Sequence, residues 1–260
     1  DDYAVHARFL EAAGVRACRV LAHEPHQRFT VLEDLGDRHL IDLVREGDPR
    51  ATEQAYDATL AVVARLHACA DRALAAGLTM QKHFGPSLYE WEHNLFLEQC
   101  AVPHLGLPPD QTDAIRAELR TVADRLCGQP VVLVHRDLQS TNVIFHRGEP
   151  ALIDFQGMRP GAAAYDLGSL LADPYVELDE SLQLRLLDAY ARHGGAPVPP
   201  DLFWTGCVQR LVQALGAYGR LGALPPTRRF LAHIPAGRRM LTRAIDHLGG
   251  LPALAALVRL

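Results

Sequence analysis

A chain of 260 residues, 48% hydrophobic and 22% charged, can bury a sizeable core, as one large domain or as a small lobe beside a larger one. Its formal charge of −5 argues against nucleic acid, which asks for a basic footprint, and no uncharged apolar run reaches the ~18 residues of a membrane span. The five cysteines (Cys18, Cys69, Cys100, Cys127, Cys207) are odd in number, scattered and never spaced C-x-x-C, which suits reduced thiols in a cytoplasm better than a disulfide framework or a zinc site.

The pattern predicts a helix over Tyr3–Ala13, capped by Gly14. Two strands follow, Arg19–Ala22 and Phe29–Glu33, around a turn at His23–Gln27. His23 and His26 form the densest histidine pair, but Pro25 breaks the helix that would present both to a metal, so a surface loop is expected. Asp34-Leu35-Gly36-Asp37 reads as a hinge. Beyond it lie a helix over Ala51–Leu74, a second opened by a Ser87/Glu90 capping box and running through Leu97, and a third with Ile115, Leu119, Val122 and Leu126 on one stripe. Pro130–Val134 is a buried-strand run. Val143–Phe145 and Ala151–Ile153 flank a turn at Arg147–Pro150, and the remainder from Asp166 is helical, with Gly/Pro interruptions at 194–200 and 222–226.

The chemistry concentrates in His135-Arg136-Asp137-Leu138-Gln139-Ser140-Thr141-Asn142 and in Asp154-Phe155-Gln156-Gly157. Moving a γ-phosphoryl group needs a carboxylate to orient the acceptor hydroxyl and take its proton, and hard oxygen ligands to hold Mg²⁺ on the phosphates. Asp137 suits the first task, Asn142 and Asp154 the second. Each alone reads better as a loop polar; the three together between apolar strands point to a site. If the two strands pair as a hairpin centred on Gly148, Asn142 and Asp154 stand opposite one another, ~4.5–5.5 Å apart at Cα. His135 is expected to hold the loop by a hydrogen bond.

These segments resemble the catalytic and metal-binding motifs of aminoglycoside phosphotransferases and related small-molecule kinases. "VHRDLQSTNVIF", "IDFQGMRPGAAAYDLGSLLADPY", "TVLEDLGDR", "QRLVQALGAYGRL" and "FLAHIP" together are similar to bacterial cell-wall sugar kinases that phosphorylate N-acetylmuramate and N-acetylglucosamine at the anomeric hydroxyl. The resemblance implies an α+β, protein-kinase-like two-lobe fold: residues 1–34 as a remnant of the nucleotide lobe, and residues 35–260 as a mainly helical lobe with a catalytic β-hairpin. It implies ATP and Mg²⁺, with a small sugar as acceptor and neither nucleic acid nor membrane as partner. It makes Asp137 the base and Asn142 and Asp154 the metal ligands. Glu33, Asp34 and Leu35 become the hinge that meets adenine, and Asp166 a buried aspartate bracing the catalytic loop.

Kinases of this kind also carry a Gly-rich loop and a strand-borne lysine over the phosphates. Neither is found: the single lysine, Lys82, lies among helices, and Glu11 sits too near the end of its helix to partner such a lysine. The chain is therefore expected to be a piece of a longer protein, and to turn over ATP very weakly as written. An aminoglycoside-type kinase and a pseudokinase-like binding module stay open beside the sugar kinase.

From Asp201 onward there are eight arginines and two acids. A pocket for polycations would be lined with carboxylates, so this tail suits a neutral or anionic acceptor, unless it is a solvated basic face. Gln156, Arg159, Gln209, Arg210 and Gln213 are the candidate acceptor contacts, Gln209 and Gln213 being four apart on one helix face.

Overall fold

In the computed structural model, which describes residues 2–259, the first helix α1 (Asp2–Ala12) stops where Gly14 takes a φ of +75°. That left-handed residue lets the Val15 N–H return to the Leu10 carbonyl at 2.9 Å and close the last turn. Asp1 and Leu260, the outer limits of the two expected units, lie outside the described residues. An antiparallel ribbon follows, β1 (Val20–Glu24) and β2 (Phe29–Leu32), joined by a single 3-10 turn that Pro25 opens. Its open end is tied by Glu33, whose carboxylate accepts from Arg16 at 2.8 and 2.9 Å and from Arg19 at 3.1 Å.

Helix α2 (Leu40–Arg45) starts with Asp42 accepting from the His39 N–H at 3.0 Å, and α3 (Pro49–His67) with Asp48 accepting from the N–H groups of Arg50 and Ala51. The single helix expected over Ala51–Leu74 is two. α3 ends at His67 and α4 (Ala70–Ala75) begins after Cys69. No helix breaker marks that corner; tertiary packing sets it, burying both Cys69 and Ala73.

Helix α5 (Pro86–Phe96) takes Gly85 as N-cap and Pro86 in its first turn, so the Ser87/Glu90 box is not its start. Proline fits there because its missing N–H would have had no partner. α5 widens into a π turn, Leu97–Ala101, and continues as α6 (Val102–Leu105). Pro103 has no N–H to return to Gln99, and its ring crowds that carbonyl, so the helix opens by one residue. Helix α7 (Thr112–Cys127) buries the expected stripe of Ile115, Leu119, Val122 and Leu126.

The strand expected at 130–134 is β3 (Val131–Val134), which pairs antiparallel with a strand not foreseen from sequence, β6 (Arg159–Ala162). Pro160, Gly161 and the absence of any β-branched residue hide β6 from propensity. Between them lies the hairpin β4 (Val143–His146) and β5 (Glu149–Leu152). Both its edges are occupied. Leu152 bonds to Arg16 and Cys18 on one side, and Phe145 N–H reaches the Arg38 carbonyl at 2.7 Å on the other.

The remaining helices are α8 (Ala163–Leu171), α9 (Glu180–Arg192), α10 (Pro200–Gly222), α11 (Ile234–Leu248) and α12 (Pro252–Arg259). α10 is buried on nearly every side and packs against α5, α8 and α11. Glycine permits this: a Cβ on Gly206 would lie 2.0 Å from the Ala164 carbonyl oxygen of α8, and one on Gly219 would lie 1.8 Å from the Gln99 carbonyl that the π turn pushes outward. The main hydrophobic cluster joins Ala7 and Leu10 of α1, and Leu35, to helical residues as far as Val258. Among the described residues no helix is long and apolar enough to cross a membrane.

Two measurements check this packing. Gly206→Ala is expected to cost about 2–3 kcal/mol by overpacking, lowering Tm by about 5 °C or more, and an unchanged melting curve would contradict the α8–α10 contact. The hydrogen bonds from Arg16, with Arg19 adding and burial opposing, hold the Glu33 carboxyl down at about 2 from its usual 4.5. A carboxyl lowered in the folded state contributes stability that is complete above pH ~4.5 and lost as pH falls toward 2. Glu33→Gln should therefore flatten the acid limb of stability across that window, read by urea unfolding at stepped pH.

Candidate active site

Strand β3 runs into a loop pinned from beneath by α8. The N–H groups of His135 and Arg136 both donate to the buried carboxylate of Asp166, at 2.6 and 2.9 Å. Arg136 sits at φ +81°, a strained conformation for a residue with a side chain, and the shared carboxylate holds it there. Asp166 also accepts from His67 Nε2 at 3.1 Å, and the Tyr190 hydroxyl donates to His67 Nδ1 at 2.9 Å. The far end of the loop is held by Asp173, which accepts from Ser140 N–H and Oγ at 2.8 and 2.6 Å. Burial pushes the Asp173 carboxyl up, against those bonds. His135 is fully buried, and its Nε2 donates to the Ile153 carbonyl at 2.9 Å, tying the loop to the end of β5.

Asp137 stands between these anchors. Its Oδ1 lies 3.5 Å from Arg210 Nη2, and its Oδ2 accepts from the Arg136 guanidinium. Burial works to raise this carboxyl, but Arg210 and then Arg136 outweigh it and hold it below the usual range, so it is ionised at neutral pH. Arg210 is itself steadied by donating from Nε to Ser169 Oγ of α8 at 2.8 Å.

The hairpin register differs from the expected one. Val143 pairs with Leu152 and His146 with Glu149, so the turn is the two residues Arg147 and Gly148, at φ +53° and +84°. Two positive-φ residues make the tight turn that matches strand twist. The ladder is thereby centred half a residue before Gly148, and Asn142 faces Ile153, whose N–H donates to the Asn142 carbonyl at 3.1 Å. Asp154 is not opposite Asn142 in the ladder. It leaves the strand through a left-handed conformation, φ +60° and ψ +35°, into the 3-10 turn Phe155–Gly157. Phe155 is then fully buried and stacks on Tyr3 of α1 at 4.8 Å.

That turn brings Asp154 into one cleft with Asp137 and Asn142, about 290 Å³ in volume and walled also by Arg210, Gln213 and Tyr218. Asn142 Nδ2 donates to the Asp137 carbonyl at 2.8 Å, leaving Oδ1 without a partner among the described residues, while Asp154 Oδ1 accepts from Gln156 Nε2 at 3.0 Å. One amide oxygen and one carboxylate are hard donors that fit Mg²⁺, which takes few protein ligands and completes its shell with water and phosphate. Among the described residues no group of three His, Cys, Asp or Glu side chains forms a cage of its own. A second cavity, about 380 Å³ and lined in part by Ile115, Ala253 and Leu257, contains none of the candidate residues.

The other candidates divide. Arg210 and Gln213 line the cleft. Gln209 does not: it is buried behind, donating to Glu92 at 3.0 Å and accepting from His93 Nε2 at 2.8 Å, because on a helix buried all round neighbouring turns meet different walls. Arg159 packs over the Phe84 ring at 5.0 Å and donates to the Gly157 carbonyl, outside the cleft lining. Glu33, Asp34 and Leu35 lie in the chain between the residues that occupy the hairpin's two edges and are not among the residues lining the cleft; Glu33 N–H donates to the Arg19 carbonyl at 2.9 Å, Asp34 accepts from the Gly36 N–H at 2.8 Å, and Leu35 is buried. His67, Tyr190, Ser140 and Asp173 were not singled out from sequence. The recurrence of aspartate at positions 166 and 173 was the available signal.

The model of the phosphotransferase enzyme family matches residues 5–202, and the chain belongs to that family. It is 35% identical over 179 residues to the N-acetylmuramate/N-acetylglucosamine kinase of Neisseria meningitidis serogroup B, a match covering 64% of this chain and 53% of that protein. The chain thus spans about half the length of that relative. It is 27% identical to the Pseudomonas aeruginosa protein of the same name, over 97% of this chain and 75% of the other. Among solved structures, a choline/ethanolamine kinase family protein from Mesorhizobium loti superposes with TM-score 0.63 at 17% identity, covering 100% of this chain and 83% of that one. An aminoglycoside-3'-phosphotransferase of type VIII superposes with TM-score 0.55 at 16% identity, covering 83% and 79%. The fold is protein-kinase-like, of the α+β class.

If Asp166 carries the loop, Asp166→Asn sets an amide against two backbone N–H groups. A loss of about 3 kcal/mol is expected, from hydrogen bonds to a charged acceptor. Amide hydrogen exchange at His135 and Arg136 should accelerate more than at β5, and equal protection at both positions would contradict the brace.

Proposed function

We propose that this member of the phosphotransferase family is an ATP- and Mg²⁺-dependent kinase of amino sugars, acting on the anomeric hydroxyl of N-acetylmuramate or N-acetylglucosamine in cell-wall sugar recycling. The carrying observation is Asp137, kept ionised by two guanidinium groups in a cleft that also contains Asn142 and Asp154. The names of the relatives support the acceptor, and the five unpaired cysteines suit a cytoplasmic protein.

In this reading the sugar hydroxyl oxygen attacks the γ-phosphorus while its proton passes to the Asp137 carboxylate. The bond to the bridging oxygen breaks and ADP leaves. Arg210 holds Asp137 in place from the side opposite the loop. Asn142 Oδ1 and the Asp154 carboxylate would hold Mg²⁺, which when bound neutralises phosphate charge. The backbone of Glu33, Asp34 and Leu35 would meet the adenine. Three arginines in the cleft wall, Arg136, Arg210 and Arg220, disfavour a polycationic acceptor.

Asp137→Asn is expected to lower phosphate transfer from ATP to either sugar by about 10²–10⁴-fold while sugar affinity changes less than threefold. Phosphosugar formation followed by ³¹P NMR, beside a binding titration, measures both. A loss below tenfold would remove Asp137 as the base, and preferential transfer to an aminoglycoside would overturn the acceptor.

A further inference from the structure

The face of α10 turned to the cleft carries Arg210, Gln213, Ala217 and Arg220, at intervals of three, four and three residues. They form one stripe running about 15 Å away from the Asp137 contact, at 1.5 Å per residue. Arg210 is committed to Asp137 and Ser169. The next two polar groups are not committed to anything of the kind. Gln213 is 95% buried, since only 5% of it is exposed, and its shielded Oε1 has no hydrogen-bond partner among the described residues. A buried amide oxygen without a donor is costly, and because Gln213 lines the cleft, a small turn of its amide would offer that group to a ligand.

Arg220 is exposed at the cleft. Among the described residues no carboxylate pairs with it, and its recorded neighbour is the Trp91 ring at 5.9 Å. Three aromatic residues, Tyr175, Tyr218 and Phe230, also line the cleft. Tyr175 and Tyr218 stand 6.0 Å apart, and Tyr218 stacks with Phe230 at 6.3 Å, surfaces that suit the apolar face of a pyranose ring.

We propose that Gln213 and Arg220 form an acceptor subsite in which the Gln213 amide meets the acetamido group and the Arg220 guanidinium pairs with a carboxylate on the sugar. The subsite separates an acidic amino sugar from a neutral one. This rests on the amino-sugar reading above and adds selectivity to it. Ala217 between the two leaves room for the ring, and among the described residues no carboxylate pairs with the Arg220 guanidinium in competition with a ligand.

The test is a calorimetric titration of the 260-residue chain with N-acetylmuramate and with N-acetylglucosamine, which needs no turnover. The unchanged chain should bind the acidic sugar more tightly. Arg220→Ala should weaken N-acetylmuramate by about tenfold or more and N-acetylglucosamine by less than twofold, the signature of a lost charge-assisted contact. Gln213→Leu should weaken both sugars by a similar factor, because both carry the acetamido group. Equal weakening of the two sugars by Arg220→Ala, or no change in either, overturns the subsite and leaves the amino-sugar reading intact. Failure of the unchanged chain to bind either sugar overturns both. Arg220 lies on the surface, so a melting curve matching that of the unchanged chain shows that the variant folds.

Discussion

One face of α8, with Asp173 just past its C-terminal end, holds the candidate site in shape. Asp166 and Ser169 are three residues apart on the helix, so their side chains share a face, and Asp173 follows where the chain has left the helix. Asp166 takes the two N–H groups at the start of the loop, Asp173 takes Ser140 at its end, and Ser169 steadies Arg210, which reaches Asp137. A loop that makes few backbone bonds of its own is thereby given the rigidity of a helix. Both carboxylates are buried, and each is compensated by several donors, the condition under which a buried acid stabilises rather than disrupts.

That helix face is useful only if α10 lies close enough for Arg210 to cross to Asp137. Gly206 and Gly168 remove the side chains that would separate the two helices, since a Cβ at Gly168 would stand 2.7 Å from the Cys207 nitrogen. Close packing therefore does electrostatic work. It brings a guanidinium beside a half-buried carboxylate, whose attraction outweighs the upward push of burial and keeps Asp137 an anion. At the other end of α10, Gly216 and Gly219 admit the backbone of α5 and the π turn, which fixes the helix along its length and so fixes Gln213 and Arg220 relative to Arg210.

The legible parts of the sequence were those whose signal is local. The stripe of α7, the cap at Gly14 and the strand runs at 131–134 and 143–152 each announce themselves within a few residues, and the structure has each element near its expected bounds. The fold class followed from the motifs and stands. What escaped depends on partners distant in the chain. His67 carries no local signal of its role, because its partners Asp166 and Tyr190 lie 99 and 123 residues away. Gln209 read as a ligand contact because helix spacing was visible, whereas the buried Glu92 that claims it was not. Strand β6 escaped because its pairing with β3, rather than its composition, makes it a strand.

The hairpin shows how a wrong register can still lead to a related arrangement. Symmetry about Gly148 would have placed Asn142 and Asp154 face to face, and the tight Arg147–Gly148 turn denies that by shifting every pair by one. In a ladder continued straight, Asp154 would then point away from Asn142, since successive residues alternate faces. The left-handed conformation at Asp154 breaks the alternation at that residue, and aspartate is among the side chains that tolerate it. The turn is held from the far side by Phe155, buried and stacked on Tyr3, so the packing of α1 acts on where the Asp154 carboxylate stands. Two acceptor oxygens in one cleft are thus secured by a backbone turn and an aromatic contact, and the ribbon's own symmetry is not required.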